Sequence, residues 1–266
     1  MSDICGVGII GFGKMGSAIA QGLIRAGFDP SRIAVSDKVS KAIELAKMMG
    51  INNAFYDNCE VVKRSNIIFI AVRPHIVETV VKEIAPLLKG KILISVAAMV
   101  PLRKLSEVLA GVEDVELYRI MPNINVAVNR GFVAATHLGE AKRRSLVERI
   151  LSYLGDVVWV QEELMDAISI LASCTPAIVA ELIDALVLAG VRLGIPHDLA
   201  RRIASKVFEG TAVNVLESGS EVVRNSVVTP KGITIRLIEK FMRENIKYLV
   251  VKTLVETYTE VYGEER

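Results

Sequence analysis

The chain has 266 residues, 52% hydrophobic and 23% charged, with 32 basic against 30 acidic side chains for a formal charge of +2. That composition excludes a disordered chain. So small a charge, with Lys and Arg scattered among Asp and Glu, offers no field that would draw nucleic acid or an acidic membrane surface.

The chain opens on an apolar run without the basic start of a signal peptide, Asp3 standing where that charge would be. Short apolar runs at 8–10, 33–36, 67–71, 92–96 and 117–120 predict strands, with later candidates at 132–136 and 157–160. Helix-like stretches at 15–26, 38–49, 76–87 and 102–109 lie between them. Alternating β and α, with strands apolar throughout, predicts a parallel sheet covered on both faces. After about residue 162 the pattern changes to long stretches of helical period. The stretch 178–193 is apolar around most of its circumference, interrupted by Glu181, Asp184 and Arg192, and so predicts a helix buried on nearly all sides. Helical patterns at 199–216 and 246–262 follow. Between them, residues 225–234 read as an ordered loop punctuated by Pro230 and Gly232, and Thr234 begins the next helix pattern. The domain reading is therefore α/β over residues 1–161 and all-helical over 162–266.

Cys5, Cys59 and Cys174 are far apart, an odd and sparse set that points to a reducing, cytoplasmic compartment rather than to disulfides. His75, His137 and His197 are equally dispersed, and no Cys/His spacing fits a metal site, so metal dependence is not expected. The longest uncharged run, 167–180, falls short of the roughly 20 residues that span a bilayer, and no membrane association is expected.

The first motif with chemistry is Gly11-Phe12-Gly13-Lys14-Met15-Gly16. It follows an apolar strand, opens a helix pattern and has Asp37 roughly 20 residues further on, which is the context a dinucleotide fingerprint requires. Gly11 serves the tight turn, Gly13 the approach of backbone to a pyrophosphate, and Gly16 the packing of helix on strand. The helix N-terminus offers free N–H groups to phosphate. Asp37 at the end of the second strand would bond a ribose 2′-OH, as in NAD sites. Ser36, Lys38 and Lys41 around it would instead suit a 2′-phosphate, although Asp37 would repel one. The cofactor is thus NADPH or NADH, with a slight lean to NADPH. Ala71-Val72-Arg73-Pro74 and Ser95-Val96-Ala97-Ala98-Met99 each end a strand. Ligands bind beyond the carboxyl ends of strands in such a sheet, so both segments should border the nicotinamide, with Ala97 and Ala98 small enough for a flat ring to approach.

Taken in order, Gly11–Gly16, Ala71–Pro74, Ser95–Ala98 and Arg119-Ile120-Met121-Pro122-Asn123 resemble the pyrroline-5-carboxylate reductase family. The resemblance continues through Asp166-Ala167, Pro176-Ala177, Ala189-Gly190-Val191 with Gly194, Gly210-Thr211-Ala212 and Val228–Thr234. It implies a Rossmann-like N-terminal domain and an all-α C-terminal dimerisation domain, with the active site between them. It further implies NAD(P)H-dependent reduction of a cyclic imine, 1-pyrroline-5-carboxylate, to L-proline by a homodimer or higher homo-oligomer. Asn123 joins the implied cofactor residues. Thr229, Lys231, Gly232 and Ile233 form the implied substrate loop, and Thr234 is implied to bond the ring nitrogen. The loop departs from the family's usual pair of glycines and pair of threonines: Lys231 replaces the first glycine and Ile233 the first threonine. The segment 172–178 also lacks two glycines and a tyrosine of the family pattern. Two other readings stay open, a related imine or deazaflavin-linked reductase of the same architecture and a non-catalytic dinucleotide-binding paralogue. A helix N-cap stays open as an ordinary role for Thr234.

Overall fold

The structure, a computed structural model, describes residues 6–263; Asp3 and Cys5 lie outside the described residues. The chain divides after Cys174 into two compact units.

The first unit is built on eight strands, β1 (Val7–Ile10), β2 (Ile33–Ser36), β3 (Asn53–Phe55), β4 (Ile67–Ile70), β5 (Ile92–Ser95), β6 (Glu116–Pro122), β7 (Gly131–Leu138) and β8 (Gly155–Trp159). They form one sheet in the order β3-β2-β1-β4-β5-β6-β7-β8. The first six are parallel. β7 runs antiparallel to β6, and β8 runs parallel to β7. The strands read as a parallel sheet are parallel, and the antiparallel pairing enters only with β7, one of the later candidates. The chain from β6 to β7 is only a tight 3₁₀ turn, Ile124–Val128, and so short a link cannot make the crossover a parallel pair needs.

The helices of this unit are α1 (Lys14–Arg25), α2 (Ser40–Met48), α3 (Asn58–Arg64), α4 (Val77–Ile84), α5 (Leu102–Val108), α6 (Arg144–Ser152) and the short α7 (Met165–Ile168). They cover both faces of the sheet, and the strands show why. In β4, Ile67 and Phe69 point into one core with α1 and α6, while Ile68 and Ile70 point into the other with α3, α4 and α5. Period-two alternation of apolar side chains on both faces is what a doubly covered strand demands. Each such side chain, fully buried, contributes about 1.5–3 kcal/mol.

At the amino end of β6 a polar cluster is buried. Tyr118 donates to Glu116 Oε2 at 2.7 Å, and Arg143 Nε donates to Glu116 Oε1 at 2.8 Å. Arg143 also donates to the carbonyls of Gly90 and Asp114, at 2.6 and 2.9 Å. Burial alone would raise the Glu116 carboxyl, but the bonds from Tyr118 and Arg143 hold it below the usual carboxylate range. The Tyr118 phenol is pushed well up by burial and by its carboxylate partner.

Residues 162–174 stay with the sheet rather than starting the helical unit, which places the division later than the one read from pattern. Met165 packs with Met121 and Ala134, and Ser173 Oγ donates to the carbonyl of Pro122 at 2.8 Å. The second unit contains α8 (Thr175–Arg192), α9 (His197–Ser218), α10 (Ser220–Ser226), α11 (Ile233–Arg243) and α12 (Ile246–Tyr262). α8 and α9 meet where a Cβ on Gly190 would lie 3.0 Å from Ala200 Cβ. The expected all-round burial of 178–193 is corrected: within the single chain only Val187 and Gly190 of α8 are buried. Segment 162–192 is long and apolar enough to cross a membrane by length and composition alone, so the short uncharged run understated it.

Candidate active site

β1 and β4 lie side by side with their carboxyl ends in register, Ile10 opposite Ile70. β1 leads to helices and strands on both of its flanks, so this is where the strand order reverses, and a crevice opens beyond such strand ends. Gly11 follows directly, with φ of +90°, a conformation that disfavours any side chain. A Cβ on it would lie 2.8 Å from the backbone of Ala71. Gly11 donates to the carbonyl of Ser36 at 2.9 Å, and Ala71 donates to that of Ile10 at 2.8 Å. The turn is thus pinned to both neighbouring strand ends.

α1 begins at Gly13 without a side-chain cap. Its first-turn N–H groups have no partner of their own within a helix and suit an anion. A Cβ on Gly13 would meet nothing within 4 Å, whereas one on Gly16 would lie 2.0 Å from the carbonyl oxygen of Gly11. Gly16 is required by the protein itself, and Gly13 is not. The space in front of Gly13 is what an approaching pyrophosphate needs, and these residues fit a dinucleotide. Lys14 is exposed at the start of α1, and Met15 is half-buried against the core.

Two expected cofactor residues point elsewhere. The Phe12 side chain is buried in the core, leaving its backbone for the turn. Ser36 is fully buried, and its hydroxyl donates to Asn58 Oδ1 at 2.8 Å. It is the last residue of β2, and strand alternation turns it under α3. Asp37 does sit at the turn: its Oδ2 accepts from the Phe12 N–H at 2.8 Å and its Oδ1 from the Val39 N–H at 2.9 Å. Lys38 is exposed.

Ala71 and Val72 are half-buried beyond β4, and Arg73 and Pro74 are exposed where a 3₁₀ turn begins. Ala97, buried beyond β5, has its N–H 3.4 Å from Ser95 Oγ. Asn123 is buried beyond β6, where its Oδ1 accepts from the Phe132 N–H at 3.4 Å. These residues gather at the carboxyl edge of β1, β4, β5 and β6.

Arg119, quoted only as part of a motif, has a structural role the sequence did not disclose. It is buried in β6 and donates to Glu162 Oε1 at 3.2 Å and Asp166 Oδ1 at 3.0 Å. Glu162 also accepts from the Leu102 N–H at 2.7 Å. The charge of Arg119 thereby fastens 162–166 to the sheet. A lone Arg inside a largely apolar strand signals that some acidic partner must meet it, without saying which.

In the second unit, residues 227–232 join α10 to α11. Gly232 donates to the carbonyl of Thr229 at 3.0 Å, and a Cβ on Gly232 would lie 2.3 Å from Thr229 Oγ1. Lys231 has φ of +61°, the left-handed region that favours glycine, at the position where a glycine was expected. Ile233 is 87% exposed. The N-cap of α11 is Gly232, not Thr234. Thr234 is half-buried in the first turn, and its hydroxyl makes no hydrogen bond among the described residues. The cap role for Thr234 is set aside.

Asp57, Cys59 and Glu83 bring three possible metal-ligand atoms within 4.8 Å of one another. The two carboxylates are already engaged, since Asp57 caps α3 through the Cys59 N–H and Glu83 accepts from Asn58. Burial, with these carboxylates beside it, pushes the Cys59 thiol up and keeps it protonated, which makes it a poor ligand.

Residues 6–99 match a family model described as NADP oxidoreductase, coenzyme F420-dependent, and residues 162–262 one described as pyrroline-5-carboxylate reductase dimerisation. A protein of Aquifex aeolicus named pyrroline-5-carboxylate reductase is 36% identical, spanning 96% of this chain and 92% of the relative. One from Pisum sativum with the same name is 32% identical over 96% of this chain and 94% of its own. The crystal structure of Plasmodium falciparum pyrroline carboxylate reductase with NADP bound superposes with a TM-score of 0.85 at 26% identity, covering 99% of this chain and 98% of the other.

Proposed function

The chain belongs to the pyrroline-5-carboxylate reductase family, and from that premise we propose how its residues carry out the reaction. The protein is an NAD(P)H-dependent oxidoreductase that reduces the C=N bond of 1-pyrroline-5-carboxylate to give L-proline. The observation that carries the cofactor assignment is the turn at Gly11–Gly16. It is locked to β2 and β4, its helix end is uncapped, and it is open only in front of Gly13.

Gly11 shapes the turn, Phe12 ties it to Asp37 and Gly16 packs the helix against it, while the backbone at Gly13, Lys14 and Met15 holds the pyrophosphate. Asp37 meets the adenosine ribose. Ala71, Val72, Arg73, Pro74, Ala97 and Asn123 border the nicotinamide, which when bound supplies the hydride. Thr229, Lys231, Gly232 and Ile233 form the substrate loop, in which Lys231 offers an ammonium to the substrate carboxylate. Thr234 positions the ring nitrogen. A hydroxyl is a very weak acid, so its part is to orient that nitrogen and relay a proton from water rather than to be the proton's source. A related imine is a second reading, favoured by Lys231 and the exposed Ile233 where the family usually has glycine and threonine.

The protein forms homo-oligomers, and the finer proposal is a homodimer through the C-terminal helices. Leu182, Leu186, Leu188 and Val191 of α8 are exposed in the single chain. α11 and α12 flank a groove of about 710 Å³ lined by Leu237, Phe241, Met242 and Tyr248. Exposed apolar helix faces of this kind are what an obligate interface covers. We read it as meeting a second copy, with no membrane or nucleic acid partner, in the cytoplasm, where Cys59 and Cys174 stay as free thiols.

The test follows NADPH and NADH absorbance with pyrroline-5-carboxylate and a panel of other cyclic imines, alongside light scattering. Rapid turnover of pyrroline-5-carboxylate by a dimer or larger species is the expected result. Turnover confined to other imines overturns the substrate, cofactor binding without any turnover overturns the enzyme, and an active monomer overturns the interface.

A further inference from the structure

We infer that this dinucleotide site selects NADH over NADPH, through an Asp37 carboxylate locked against the glycine turn; the inference rests on the cofactor reading above. Both oxygens of Asp37 are fixed by backbone, Oδ2 by Phe12 and Oδ1 by Val39. The Asp37 N–H is fixed as well, donating to the carbonyl of Phe55 at 3.2 Å. The carboxylate therefore cannot swing aside without giving up two charge-assisted bonds. A carboxylate has about four acceptor positions, so two remain for the vicinal hydroxyls of an adenosine ribose. A 2′-phosphate in the same place would set up to two negative charges against an anion that cannot retreat.

The groups that might offset this are differently disposed. The Ser36 hydroxyl, which could have bonded a phosphate, is fully buried and committed to Asn58. Asn58 in turn donates to Glu83 Oε2 at 3.0 Å, so that polar chain ends on another carboxylate. Lys38 and Lys41 are exposed. Among the described residues neither pairs with Asp37, so neither neutralises its carboxylate. Of the groups that would suit a 2′-phosphate, Ser36 is thus withdrawn from the site by its bond to Asn58. A solved relative holds NADP; the preference proposed here comes from this chain's own Asp37.

The experiment is equilibrium binding without substrate: fluorescence titration of the full-length protein with NADH and with NADPH. We expect NADH to bind at least tenfold more tightly. In Asp37→Asn, which keeps an acceptor oxygen but loses the charge, the ratio should fall toward one, chiefly because NADPH tightens. Asp37→Ser gives a second uncharged side chain, and melting curves report whether each variant is folded. The wild-type protein alone supplies an independent measure. Added salt should narrow the NADH/NADPH ratio if the 2′ position is repulsive, and widen it if the lysines dominate. Equal or tighter binding of NADPH overturns the inference, as does an unchanged ratio in folded Asp37→Asn or a ratio that widens with salt. Binding of neither dinucleotide overturns the cofactor reading itself, a distinct result.

Discussion

Two glycines of one turn should separate binding from folding. Gly13 has φ of −77°, open to any residue, and free space where a Cβ would stand. Gly13→Ala changes an N-cap from glycine to alanine, a loss of roughly 0.5–1 kcal/mol. It also stiffens the unfolded chain, a gain of about 0.4–1 kcal/mol. The two nearly cancel, so the cofactor-free protein should melt within a few degrees of wild type. Gly16 is the opposite case. Its Cβ would lie 2.0 Å from Gly11 O, 3.1 Å from Gly11 C and 3.2 Å from Ile9 Cγ2. A backbone oxygen cannot rotate away as a side chain can, so the turn itself must move. Overpacking of this kind costs about 1–3 kcal/mol, and at about 2–4 °C per kcal/mol for a domain of this size Gly16→Ala should melt roughly 2–12 °C lower. The assay is thermal denaturation without dinucleotide, followed by NADH titration of each folded variant. Gly13→Val, which fills the open space with a branched side chain, should weaken binding at least tenfold while melting almost normally. If Gly13→Val titrates like wild type, the pyrophosphate does not sit there. If Gly16→Ala melts like wild type, the close approach of α1 to the turn does not constrain the fold.

Thr234→Ala should lower kcat by about tenfold to a hundredfold, since an unmade hydrogen bond of this kind costs roughly 1–3 kcal/mol. Its melting and NADH affinity should not change and Thr234→Ser should keep much of the rate; full activity of the alanine variant would sink the assignment. Lys231→Gly releases a left-handed lysine and should raise stability by about 1 kcal/mol while raising KM for the carboxylate substrate. An unchanged KM would remove Lys231 from the substrate site. Glu116 is held below its usual range in the folded protein, so its contribution is complete above the unfolded value of about 4.3 and is lost as pH falls through the folded one. Glu116→Gln should therefore flatten the acid limb of a melting-temperature profile below about pH 4.5, and an unaltered limb would contradict the shift.

The sheet was legible because its strands are apolar on both faces, a pattern few other structures require. β3 was not: Asn53-Ala-Phe55 is short, half-exposed and at the sheet edge, where burial writes no pattern. α3 and α6 escaped for a related reason. α3 is only about two turns long, and α6 keeps Arg144, Glu148 and Arg149 on its open side, with only Val147, Ile150 and Leu151 buried. At the site, the glycine turn and the strand ends could be read because special backbone geometry restricts residue type. The destinations of Ser36 and Arg119 could not. Each depends on a partner far along the chain, Asn58 for one and Glu162 with Asp166 for the other.

The helical unit shows where a sequence signal and a single chain part company. The pattern of 178–193 demands burial, yet Leu186 and Leu188 stand open to solvent on α8. The demand is real, because leaving such side chains in water forfeits the same 1.5–3 kcal/mol each, roughly, that the strand residues gain. In the proposed homodimer a second copy supplies that cover, and the exposed apolar faces of α9, α11 and α12 carry the same demand through Val207, Leu237, Phe241 and Val251. Thr234 sits in the first turn of α11, so the helix that positions the proposed catalytic hydroxyl is itself incompletely covered in the single chain. It follows that dilution below the dimer's dissociation range should cost activity before it costs the dinucleotide site. That site is built within the first unit, on a sheet with its own two cores.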